Sequence, residues 1–204
     1  MSNKIANYLN GWDVHDLYYE GQLPDPKKPS VAIIGARFCS SYGWYMARVY
    51  GQALAAAGFQ IITDMSLGVG GIAAKAALDA GGSVYAVFGN GVDVCYPPEH
   101  KDLYERIKKS GGVISPFEDG TVPKPAQFTE RNKIIVEFAD SVIVVEARKK
   151  SGTLVMADFA KEMGKKIYAI PGRATDRLSD GTNLLIKEGA MMTMTPEDFI
   201  QQYQ

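Results

Sequence analysis

Apolar residues in this chain gather into short unbroken runs more often than they alternate with polar ones. Val31-Ala-Ile-Ile34 and Val142-Ile-Val-Val145 have the continuous apolar character of parallel strands covered on both faces. Gln60–Thr63, Ser83–Phe88, Gly112–Ser115 and Lys166–Ile170 read as further strands. Helical stretches separate them. One runs from Tyr42 to Ala57 and is stopped by Gly58, and another from Gly71 to Ala80 is stopped by Gly81-Gly82. Others span about Glu99 to Lys109, start as a short polar-headed helix at Phe128, open at Ser151, lie near Asn183 to Glu188, and begin at Pro196. Strands separated by helices of this length imply right-handed βαβ crossovers. The pattern predicts a single α/β domain with a doubly wound, mostly parallel sheet, its core spanning residues 30–204. Residues 1–29 read as a polar lead-in dotted with Tyr8, Trp12, Tyr18 and Tyr19. It ends in Leu23-Pro-Asp-Pro-Lys-Lys-Pro29, where three prolines forbid regular structure.

Composition narrows the function more than the fold. A chain of 204 residues makes one large domain with a proper core, and two full domains would be cramped. With a net charge of -1 it has no global field to attract a polyanion, so any polyanion site must be a local patch. Cys39 and Cys95 show no pairing or metal spacing, and two histidines cannot build a His-rich metal site. No metal or cofactor is expected, and a reduced, cytoplasmic setting fits the cysteine usage. The N-terminus lacks a basic-then-apolar signal pattern, and no apolar run reaches membrane-spanning length.

In a doubly wound sheet the ligand crevice lies beyond the carboxyl ends of the strands. Five segments leave strands on that side. They carry Gly35 with Arg37; Gly68 within Asp64–Gly71; Gly89-Asn90-Gly91 with Asp93; Glu146 and Arg148-Lys149-Lys150 ahead of Ser151-Gly152-Thr153; and Gly172-Arg173. Glycine lets backbone approach a ligand without a Cβ, and arginine at the same edge suits phosphate. Ser151-Gly152-Thr153 also places free N–H groups at a helix N-terminus, where an anion is favoured. The plainer alternative for any one loop is a tight βα turn beside a solvated arginine. Five such loops on one edge favour the phosphate reading. None of them is a GxGxxG, so a dinucleotide fingerprint is absent.

Several blocks together resemble the DNA-processing protein A family (DprA, also called Smf). They are Ser30-Val-Ala-Ile-Ile-Gly-Ala-Arg37; Gly81 to Asp93 with Tyr96-Pro-Pro98; Phe128 with Arg131-Asn-Lys-Ile-Ile135; Val144-Val-Glu-Ala147; Ser151-Gly-Thr-Leu154; Ala169-Ile-Pro-Gly172; and Gly181 to Ile186 with Gly189-Ala190. The resemblance runs from about Leu17 to Phe199. It implies an extended Rossmann-like fold that binds single-stranded DNA, hands it to a RecA-type recombinase in transformation or recombination, and pairs as a homodimer. It also implies phosphate-facing roles for Arg37 and Arg131 at the pocket edge, with Asn132 beside them. Full-length members commonly add an N-terminal helical domain and a C-terminal winged helix, for which this sequence has no room.

The departures fall in the second βα loop. Where the family reads S-G-x-A-R-G-I-D with a histidine four residues on, this chain has Thr63-Asp-Met-Ser-Leu-Gly-Val-Gly70, then Ala74. The family's arginine, aspartate and histidine are thus Leu67, Gly70 and Ala74, and Glu137 replaces a glycine, bringing an anion close to the cleft. Single-strand binding also needs exposed rings, and Phe38, Tyr42, Trp44 and Tyr45 crowd the start of one helix. About half of these are expected in the core. Tyr96-Pro97-Pro98 reads as a rigid turn. The basic groups Arg106/Lys108/Lys109 and Lys161/Lys165/Lys166 read as solvated helix faces.

An enzymatic alternative is a nucleotide-binding protein or weak phosphoribohydrolase, with Asp93 and Glu146 as pocket carboxylates. Against it, Met156 stands where the phosphoribohydrolase pattern needs its glutamate.

Overall fold

A computed structural model describes residues 2–9 and 14–203; Trp12 lies outside the described residues. Two antiparallel strands open the chain, β1 (Asn3–Leu9) and β2 (Val14–Gly21). A βα alternation follows: β3 (Ser30–Ile34), α1 (Ser41–Ala56), β4 (Gln60–Thr63), α2 (Val69–Asp79), β5 (Val84–Val87), α3 (Lys101–Ser110), β6 (Gly112–Ser115) and α4 (Gln127–Glu137). The chain continues through β7 (Ser141–Val144), α5 (Gly152–Glu162), β8 (Lys166–Ala169), α6 (Asp180–Lys187), β9 (Met191–Met192) and α7 (Pro196–Tyr203). Among the described residues one sheet holds all the strands, in the order β1-β2-β6-β5-β4-β3-β7-β8-β9. Everything from β6 to β9 is parallel; β2 joins β6 antiparallel and β1 joins β2 in the same sense. This is the doubly wound, mostly parallel α/β sheet that the apolar runs predict.

The unbroken apolar character of the central strands has a direct structural cause. Successive side chains point to opposite faces, and both faces are covered. Val31, Ile33, Ile61, Val113 and Ile143 pack into one buried cluster with α1, α2, α3 and α7. Ala32, Ile34, Ile62, Ile114, Val142 and Val144 pack into a second cluster with α4, α5 and α6. Burying a Val, Leu or Ile side chain contributes about 1.5–3 kcal/mol relative to exposure. Such residues supply most of each core, which holds the sheet's carboxyl edge rigid beneath the loops.

The lead-in departs from its sequence reading. It supplies two strands that extend the sheet, with Tyr18, Tyr19, Glu20 and Gly21 paired against Ser115, Ile114, Val113 and Gly112. Leu17 is fully buried in the second cluster. Its mixed polar pattern belongs to an antiparallel edge, where only part of each face is covered. β9, two residues long, has too little pattern to read from sequence.

Candidate nucleic-acid interface

Strand order reverses between β3 and β7. From β3 the chain winds outward through β4, β5 and β6, and from β7 it winds the other way through β8 and β9. The loops after β3 and β7 therefore diverge, which opens a crevice at the carboxyl edge. A cavity of about 410 Å³ occupies it. Its walls are Gly35, Arg37 and Phe38 after β3, Arg131 and Asn132 of α4, and Arg148 with Ser151, Gly152 and Thr153 at the start of α5. A smaller cavity of about 40 Å³ adjoins it, walled by Leu67, Gly89, Asn90, Tyr96 and Pro97. Arg37, Asp64, Phe128 and Arg131 border both. The crevice therefore gathers segments that stand more than a hundred residues apart in sequence.

Cations dominate its walls, with Asp64 the one acid among the described lining residues. Arg37 is exposed, and no carboxylate forms an ion pair with Arg37, Arg148, Lys149 or Lys150 among the described residues. Lys149 and Lys150 are exposed on the loop that feeds α5, outside the cavity lining. At the α5 N-terminus Ser151 caps nothing with its side chain, since its hydroxyl donates to the Arg148 carbonyl at 2.9 Å. Backbone N–H groups of the first turn thus face the crevice with the positive end of the helix dipole behind them. Gly152 adds to this opening, because a Cβ there would meet no protein atom within 4 Å.

Arg131 corrects the pocket-edge expectation. It is buried, with 7% of its surface exposed, and forms a cationic floor between the two cavities. Its guanidinium donates to the Asp64 carbonyl at 3.4 Å and the Val87 carbonyl at 3.5 Å, and lies 3.8 Å from the Asp64 carboxylate. Burial pushes its pKa down; Asp64 opposes that and Arg37 adds to it. Two buried polar atoms remain without a hydrogen-bond partner here, Arg131 Nε and Asn132 Oδ1. Buried polar groups are rarely left unpaired, and those that are mark a place for a ligand or water.

Phe128 organises this floor, and the residue-by-residue reading missed it. Arg131 and Arg37 lie over its ring, at 5.3 and 5.8 Å from the centroid, and Tyr96 stacks on it at 6.3 Å. Phe128 sits three residues before Arg131 on one helix face, so the helical period was a usable signal. Tyr96 and Pro97 form a turn, and they also wall the smaller cavity.

Other sequence-selected residues are committed to protein. Gly68 is buried where a Cβ would collide with the Ala36 and Arg37 carbonyls, so its job is close packing of two loops. The Asn90 amide donates to the Gly91 and Val94 carbonyls, at 2.9 and 2.7 Å, and Gly91 packs on Glu118 and Gly120. Asp93 borders neither crevice cavity and accepts the Gly120 N–H at 2.8 Å. Glu146 is buried under the α1 N-terminus, accepting the Ser40 N–H at 2.9 Å and the Ser40 hydroxyl. Neither acid is a pocket carboxylate. Gly172 is clasped by Asn183, and Arg173 borders a separate open groove of about 710 Å³.

The second βα loop keeps an acid despite its divergence. A Cβ at Gly70 would collide with the Asp64 carboxylate, which fills the room an aspartate at position 70 would need. Asp64 thus places a negative charge at the start of the loop, 3.8 Å from Arg131. Ala74 is buried in the core, while Leu67 is exposed at the mouth of the smaller cavity. Glu137 stands at the far end of α4 and borders none of these cavities, so it does not bring an anion to the cleft.

The aromatic cluster is more exposed than expected. Phe38 is 78% exposed, and Tyr42, Trp44 and Tyr45 are 42%, 49% and 53% exposed. The buried stripe of α1 runs through Gly43, Met46, Ala47, Tyr50, Gly51, Leu54 and Ala55, and the rings fall off it.

The comparisons agree with this geometry. A family model described as DNA recombination-mediator protein A matches residues 13–204. DNA processing protein DprA of Streptococcus pneumoniae is 36% identical over 95% of this chain and 71% of that protein. Protein Smf of Escherichia coli is 35% identical over 92% of this chain, which spans 50% of Smf. A solved structure of DNA processing protein A from Helicobacter pylori, described for its single-stranded DNA binding mode, superposes with a TM-score of 0.88 at 27% identity. The match covers 99% of this chain and 95% of that one. No helix among the described residues is long and apolar enough to cross a membrane.

Proposed function

This chain belongs to the DNA recombination-mediator protein A family, and from that premise we propose that it binds single-stranded DNA at the β3/β7 crevice and presents it to a RecA-type recombinase. The observation that carries the reading is the set of unneutralised cations beside the open N-terminus of α5. Phosphates lie against Arg37, Arg148 and the first-turn N–H groups of α5. Arg131 supplies a fixed positive floor, and the unpaired Asn132 carbonyl accepts a hydrogen bond from a sugar or base.

Such a site reads no sequence, because its donors address backbone oxygens. It favours a single strand over a duplex, because a flexible strand can turn its phosphates and bases into a crevice that a rigid duplex cannot enter. The protein acts without a bound cofactor, as a homodimer that carries two such crevices.

Fluorescence anisotropy with a labelled oligothymidylate tests this, with a duplex of equal length as control. Affinity for the single strand is expected to fall with salt at a log–log slope of about −0.7 per phosphate contacted. Equal binding of duplex, or none at low salt, overturns the reading. Sedimentation tests the dimer, and recombinase filament assembly with and without this chain tests the handover.

A further inference from the structure

We propose that the single-strand track does not end in the crevice but continues through the groove beside it, where emerging bases stack on the rings of the first turns of α1. The proposal rests on the reading that the crevice takes single-stranded DNA. The two cavities are separate, but neighbouring chain positions line them on both sides. On one side Phe38 borders the crevice, and Ser40, Ser41 and Tyr42 border the groove. On the opposite side Leu178 borders the crevice and Ser179 the groove. A strand leaving past Phe38 therefore runs over Tyr42, whose hydroxyl ties α1 to the loop after β8, and onto the exposed face of α1.

The chemistry along this path suits a nucleic acid. Tyr42 borders the groove, and beyond it on the same helix Trp44 and Tyr45, which border neither cavity, leave further large ring faces in solvent, although the helix otherwise buries its apolar residues well. Arg48 lies 5.7 Å from the Trp44 ring and 6.0 Å from the Tyr45 ring, on the same helix face, so a cation accompanies the stacking platform. Arg173, exposed on the opposite lip, supplies a second cation. The one acid on the groove wall, Asp176, is engaged by the Leu178 N–H at 2.9 Å. Tyr42 is fixed at the rim by donating its hydroxyl to the Pro171 carbonyl at 2.8 Å. Aromatic faces with flanking arginines match the bases and phosphates of a strand.

The test compares oligothymidylates of about 4 and about 12 nucleotides, lengths within the range of known single-strand sites. Trp44→Ala with Tyr45→Ala is expected to weaken the longer strand about tenfold or more while leaving the shorter one unchanged. Trp44→Phe, which keeps a ring, restores binding. The long strand quenches tryptophan fluorescence in the unaltered protein, and that quench is lost in Trp44→Phe. Equal loss at both lengths, no loss at either, or a change confined to oligomeric state (which would make the patch a protein interface) overturns the proposal. Arg37→Ala, which should weaken binding about tenfold to a hundredfold at both lengths, tests the crevice separately. If it does so while the ring variants change nothing, only the extended track fails.

Discussion

Two basic regions of this protein look alike as sequence and differ completely as structure. On α3, Arg106 sits 2.7 Å from Asp79, and Lys108 lies 2.8 Å from Glu20 and 3.5 Å from Glu105. Around the β3/β7 crevice, Arg37, Arg148, Lys149 and Lys150 form no ion pair among the described residues, and Arg131 has Asp64 at 3.8 Å. Cations that already hold a partner gain little from an approaching phosphate, because the ion pair must first be broken. Cations left open give up only water. The count of lysines and arginines is therefore a poor guide to a polyanion site, and their pairing is a good one.

The sharpest way to break this contrast is at Arg131. Arg131→Ala strands Asp64 beside a cavity and should destabilise the fold by about 3–5 kcal/mol, the cost of breaking a buried pair from one side. Thermal or urea unfolding measures it, and a shift below 1 kcal/mol would show that Arg131 is no part of the framework. Arg37→Ala acts on the open side of the comparison. It should lower single-strand affinity about tenfold to a hundredfold, as expected for losing a charge-assisted contact, with the melting temperature unchanged.

The acid beside Gly70 gives the next effect. Gly70→Asp alone crowds the Asp64 carboxylate, and Asp64→Gly alone removes the counter-charge of Arg131. The double variant should restore stability, with a coupling of about 0.5–3 kcal/mol in the double-mutant cycle. Additive losses would show that the two positions do not share one site.

The smallest effect belongs to the ion pair that joins α2 to α3. Hydrogen bonds from Lys75, then Arg106, hold the Asp79 carboxyl below its ordinary pKa of 3.8. A depressed carboxyl stabilises the fold above its unfolded pKa and loses that contribution as pH falls through the folded value. Stability of Asp79→Asn should therefore fall slightly short of the parent at neutral pH and converge with it in acid below pH 3.8. Single-strand affinity should not change. A rise in affinity, from the Arg106 cation that the substitution frees, would place α3 on the DNA path.

Much of the framework was legible because burial on both faces writes itself as an unbroken apolar run. The strands at Val31–Ile34 and Gln60–Thr63 read directly, and the glycines after α1 and α2 marked their ends. β2 was not legible, since its partner β6 lies some hundred residues away and only that pairing makes a strand of a mixed sequence. At the site, Arg37 and the Ser151-Gly152-Thr153 turn were legible as crevice-edge residues, and both line the cavity there. Gly68, Gly91 and Gly172 misled for one reason: a glycine permits close approach without saying what approaches. Here it was neighbouring carbonyls and side chains.

Local physics in the sequence thus determined the layered sheet, the helix order and the edge on which chemistry gathers, because periodicity and turn residues act over a few positions. Tertiary structure alone decided which cations stay unpaired, that Glu146 anchors a helix, that Asp64 fills the space beside Gly70, and that four rings near α1 face solvent. Those are long-range contacts, fixed by how the two halves of the sheet meet at the crevice, and no stretch of chain carries them by itself.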